Sequence, residues 1–163
     1  MAATAVIQND IASTFSVRAT RVFHRRNNQV YAIVGDNPAS GLITDVWFDR
    51  FDSQDEFRAV LTHVRDKFQA GGYRYWLADL RFLASSFSES EDWLIREIMP
   101  AMFEAGLKRE AVVLPDTAIK IEGADAFATG ARALREIADG RVRGFTDITL
   151  AKRWLLDGVL PKA

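Results

Sequence analysis

The chain has 163 residues, a formal net charge of -1, 48% hydrophobic and 26% charged residues, and no cysteine. That length suits one domain, which buries about 70% of the surface its unfolded chain would expose and needs no disulfide or metal to hold a core. The missing thiols exclude cysteine catalysis, Cys-ligated zinc and iron–sulfur clusters, and the near-neutral charge offers no global basic surface for nucleic acid.

Residues 1–12 carry no clear hydrophobic period and read as an N-terminal arm, with a single domain over 13–163. The start lacks the basic region of a secretory signal, and no apolar run approaches a membrane span. The expectation is a soluble cytoplasmic protein with no membrane insertion. From Ser16 to Phe23 apolar or small residues alternate with basic ones, the period of a strand with one wet face. Asn27 and Asn28 suit the turn that follows, because asparagine takes positive φ at low cost. Val30–Val34 is β-branched and aromatic, GDNPASG is loop-like, and Leu42–Phe48 is the next strand; the two strands read as a hairpin.

Helical spacing then takes over. Phe57, Val60, Leu61, Val64 and Phe68 share one helix side, Ser53 and Glu56 form a capping box, and Gly71-Gly72 ends the helix. Tyr73–Leu80 is a strand. Ser88 and Glu91 suggest a second capping box before a helix carrying Leu94, Ile95, Ile98, Met99, Met102 and Phe103, with a kink or break expected at Pro100. Glu110–Leu114 reads as a buried strand, residues 124–138 as a helix, and Val142–Phe145 as a last short strand. Asp147 caps a final helix burying Ile148, Ala151, Trp154 and Leu155. Alternating strands and helices after an opening β segment predict an α/β layer fold: a mixed, mostly parallel sheet, an N-terminal hairpin and about four helices.

Several of these stretches carry a family resemblance: VWFD, YRYWLADLR, FEAGLKR, AVVLP and FTDITLAKRWL. Over about residues 29–157 the chain resembles STAS-like (anti-sigma-factor-antagonist-like) proteins, and more closely the small bacterial proteins grouped as STAS/CRAL-TRIO-like. The resemblance implies a protein-interaction or signalling module. In phosphorylatable STAS domains, a strand ending in Asp-Leu leads to a loop whose Ser or Thr a partner kinase modifies, adding charge beside a helix start. Here the matching loop holds Ser85 and Ser86, with Ala84 where the family has an acid and Phe87 where it has glycine.

Two readings stand for each candidate. Ser85 and Ser86 are phospho-acceptors or loop and helix-capping residues. Asp79 and Arg81, at the C-terminal end of a strand, are partner or ligand contacts or an ion pair. Trp93, like Trp47, Trp76 and Trp154, lines an apolar-ligand pocket or belongs to the core. The acids Glu89, Glu91, Asp92 and Glu97 suit a helix start and its outer face. His24 and His63 lie in different elements and have no metal-ligand spacing. No nucleophile elbow, P-loop or dinucleotide fingerprint occurs. The sequence therefore predicts a non-enzymatic module, without cofactor or metal, that docks a protein partner through Asp79 to Trp93 and forms a homodimer through a sheet edge or helix face. The alternative is a carrier of a small apolar molecule or lipid between sheet and helices.

Overall fold

The computed structural model describes residues 10–115 and 140–159. Its frame is one six-stranded sheet whose spatial order follows chain order. The strands are β1 (Arg18–His24), β2 (Val30–Asn37), β3 (Leu42–Asp49), β4 (Tyr75–Leu83), β5 (Arg109–Val113) and β6 (Val142–Phe145). β1, β2 and β3 form an antiparallel meander; β3 to β6 run parallel. The expected α/β class and mixed sheet are observed, and the antiparallel start takes in β1 as well as the predicted hairpin.

Helices cover both faces. α2 (Gln54–Ala70) and α3 (residues 88–104) pack on one face, and α1 (residues 10–15) and α4 (Ile148–Leu155) on the other. Two separate apolar cores result. Phe57, Val64 and Ile98 meet Trp47 and Trp76 in the first; Ile11, Phe15 and Leu155 meet Leu42 and Leu77 in the second. This double cover explains why β3 is buried through seven of its eight residues instead of alternating in and out.

Local chemistry fixes the helix ends. Ser53 accepts from the Glu56 backbone N–H while Glu56 returns a bond to the Ser53 N–H, the capping box expected for α2. Gly71, at φ 97°, ends the helix. Near that end the buried Asp36 of β2 takes Lys67 Nζ at 3.1 Å and the Tyr73 hydroxyl at 2.5 Å, tying α2 and the following loop to the sheet. Asp147 caps α4 by accepting from the Thr149 and Leu150 N–H groups. In α4, Ala151 and Leu155 are fully buried, with Ile148 and Trp154 partly buried beside them.

Three expectations change in detail. Ser88 and Glu91 form no capping box: Phe87 is the N-cap, and α3 opens with a 3-10 turn lacking a side-chain cap. Pro100 does not break α3. A π turn over Leu94–Ile98 precedes it, closed by the Met99 N–H donating to Leu94 O five residues back. The ladder is already offset where proline withholds its donor, so the helix continues to Glu104. At the N-terminus, residues 10–12 of the expected arm are helical, and Ile11 is fully buried with Phe15 against β3 and β4. The helix expected over 124–138, with Arg132 and Arg135, lies outside the described residues.

β1 is an edge strand, exposed at all but Phe23 and irregular in register at two points. A Cβ on Gly35 would stand 2.8 Å from Arg18 O, so β1 closes on β2 only because residue 35 is glycine. If α1 belongs to the core, Ile11→Ala should cost about 2–4 kcal/mol in urea unfolding, the range for emptying a buried aliphatic site. A loss below about 0.5 kcal/mol would mean that α1 does not contribute to the cooperative unit.

Candidate functional site

The site follows from strand parity. In β3, Ile43, Asp45 and Trp47 point to the α2/α3 face; so do Trp76, Ala78 and Leu80 of β4 and Val112 of β5. Glu110 shares the parity of Val112 and projects the same way. Two carboxyls are thus placed on an otherwise apolar face, Asp45 at 0% and Glu110 at 5% exposure.

Their surroundings differ. Asp45 is clamped by two indoles: Trp47 Nε1–H donates to Oδ2 at 2.5 Å, and Trp76 Nε1–H donates to Oδ1. Trp47 lies two residues along the same strand. Trp76 reaches across diagonally, because β3–β4 register sets Ile43 opposite Trp76 and Asp45 opposite Ala78. The carboxyl of Glu110 has no hydrogen-bond partner among the described residues. Burial raises Asp45 from 3.8 to about 7, against the pull of both indole bonds. Burial pushes Glu110 well above its ordinary 4.5, and the neighbouring Asp45 charge pushes it further.

Both acids line a cavity of about 50 Å³. Trp47 and Trp76 share its sheet side, Phe57 and Leu61 come from α2, and Leu94 and Met99 from α3. Phe87 completes the wall, stacked on Phe57 with centroids 4.8 Å apart and planes within 7°. One water occupies roughly 30 Å³ of liquid, so the space suits one or two waters or a group of a few heavy atoms. An acyl chain does not fit it in this conformation. Leu94 and Met99 bracket the π turn of α3, a helical irregularity that recurs at functional sites.

Of the residues singled out from sequence, Trp47 and Trp76 line this cavity, and Asp79, Arg81, Trp93, Ser85 and Ser86 do not. Asp79 points to the other face, is fully buried, and is held by Arg81 through Nε at 2.9 Å and Nη2 at 2.8 Å. Burial works against the Arg81 charge, but the Asp79 bonds outweigh it and raise its pKa. Trp93 is half-buried on the α2/α3 side with the Arg58 guanidinium 5.1 Å from its ring centre. Ser85 joins two loops, accepting from Phe51 N–H at 3.1 Å and donating to Phe51 O at 3.2 Å. Ser86 accepts from the Ser88 N–H, and Gln54 of α2 donates to Ser86 O. The 85–90 loop is further fixed by Ser90, fully buried, between Gln54 and Arg58.

No three His, Asp or Glu side chains among the described residues cluster as metal ligands, and none of the described helices is long and apolar enough to cross a membrane. Sequence reading passed over Asp45 and Glu110 because each sat inside a strand assignment. The available signal was parity: Asp45 shares the face of Ile43 and Trp47 in a run buried on both sides. Comparison with family models, curated proteins and solved structures returns no significant match.

Asp45→Ala should cost about 2–5 kcal/mol in chemical unfolding, because it leaves two buried indole N–H groups unpaired. A neutral result would show that the indoles find other acceptors. Glu110 holds its proton in the fold at pH values where the unfolded chain has lost it. Its contribution is therefore complete below about pH 4.5 and is lost as pH rises toward its elevated folded value. Glu110→Gln should gain on wild type as pH rises above about 4.5 toward the elevated folded value, at up to about 1.4 kcal/mol per pH unit. His63, lowered by burial, acts in the opposite sense in both proteins and cancels in that difference. Parallel stability–pH curves would overturn the assignment.

Proposed function

We propose that this protein is a non-enzymatic, STAS/CRAL-TRIO-like module that binds a small molecule between its sheet and the α2/α3 layer. The observation carrying the reading is the cavity itself: an apolar, aromatic-walled space into which Glu110 turns a carboxyl with no hydrogen-bond partner among the described residues. Burying an acid this way is costly unless something compensates it, and core packing alone would favour an apolar residue. Pockets that bind small molecules share this design of apolar walls with a few convergent polar groups. The resemblance over residues 29–157 supports the same reading, since a CRAL-TRIO-like relative would carry its ligand between sheet and helices.

The cavity's size narrows the carrier reading to a small ligand or the head of a larger one. Longer ligands need α3 to move, and the π turn at Leu94–Ile98 supplies a helix segment whose hydrogen bonding is already offset.

A fragment screen read by tryptophan fluorescence tests the proposal, because Trp47 and Trp76 line the cavity. Ala78→Val serves as the control: it adds two methyl groups to a lining strand position and should keep or raise Tm. Wild type should give saturable responses that Ala78→Val loses. Responses that survive in Ala78→Val, or no response from wild type, would overturn the reading.

A further inference from the structure

We propose that the ligand group this cavity receives is a primary ammonium on a short apolar stem, taken by Glu110. The inference rests on the ligand-site reading above and adds the ligand's charge class.

The two carboxyls divide the work. Each oxygen of Asp45 already accepts an indole N–H, so its orientation is set by Trp47 and Trp76. Glu110 is 5% exposed, lines the same space, and has no hydrogen-bond partner among the described residues. A neutral alcohol would satisfy Glu110 with one donor and leave two acids packed in an apolar medium. An anion would oppose ionisation of either acid. A primary ammonium brings three donors and the one positive charge that lets the pair ionise together.

The walls agree with that choice. Trp47, Trp76, Phe57 and Phe87 present aromatic surface, which favours a cation over an anion. Among the described residues no arginine or lysine lines the cavity, so the carboxyls have no counter-ion from them there. Basic groups of α2 and α3 are engaged elsewhere: Arg58 with Trp93 and Ser90, Lys67 with Asp36, and Arg96 with Asp92. A volume of about 50 Å³ accommodates the ammonium and little more than its first carbons. The remainder of a longer amine would have to lie outside.

Three probes of similar size test this on the full chain: propylammonium, 1-propanol and propionate, titrated at constant ionic strength. The readout is the indole N–H resonances of Trp47 and Trp76, assigned from single Trp→Phe variants. Propylammonium should shift both resonances saturably, with a Kd at least tenfold below that of 1-propanol, and propionate should leave them in place. Glu110→Gln should bring the amine to the level of the alcohol while alcohol binding is kept. Glu110→Asp, which retains the charge, should keep part of the preference. Equal binding of amine and alcohol, or a preference that survives Glu110→Gln, would overturn the cation assignment and leave the ligand site standing. If none of the three moves either resonance, this inference fails and the ligand-site reading fails with it.

Discussion

Asp45 is bound by two indoles at the centre of the sheet, on a face that is otherwise largely apolar. The bond from Trp47 runs along β3, and the bond from Trp76 crosses from β4. Together they join the last strand of the antiparallel meander to the first strand of the parallel region. A one-residue slip between β3 and β4 would send Trp76 to the opposite face and leave Asp45 with one donor. The register of the parallel half therefore rests on a polar contact inside an apolar layer, where a wrong pairing is costly.

That contact also sets up the site. The indoles hold the Asp45 carboxyl in one orientation, and its charge raises the cost of ionising Glu110 nearby. A buried acid without a hydrogen-bond partner among the described residues then faces the space between sheet and helices. The helix layer above accommodates this by irregularity: a 3-10 opening, a π turn and a proline within one helical run. Gln54 and Arg58 of α2 grip the loop before α3, so the two helices are joined at the end where α3 begins. Ser85 is part of the same stitching through Phe51.

The opposite face is organised differently. Asp79 and Arg81 satisfy each other as a bidentate pair next to the N-cap of α4, and α1 closes the layer with Ile11 and Phe15. One strand, β4, thus alternates between the two systems: Trp76 and Ala78 serve the cavity, while Leu77 and Asp79 serve the second core. Its charged end reads in sequence as either a contact or an ion pair, and in space it is an ion pair behind the sheet.

Local rules were legible in the sequence. The capping box at Ser53, the cap at Asp147, the glycine stop at Gly71 and the positive φ of Asn28 depend on residues a few positions apart, and the structure has all four. The helix face of Phe57 to Phe68 and the order of strands and helices follow from periodicity, which neighbouring residues also carry. The cavity is of another kind. It exists because Asp45, Trp76 and Glu110 come from three strands and share one face, and because α2 and α3 cover that face without filling it. Those partners lie dozens of residues apart, and which acid pairs, which stays open and how much space remains are set by register and packing. By itself the sequence determined most of the strands, the caps at Ser53 and Asp147 and the α/β class of fold, since these are short-range consequences of side-chain and backbone chemistry. Only the tertiary structure decided that Asp79 would be paired and Glu110 left facing a void, because only there do side chains from distant strands compete for the same donors.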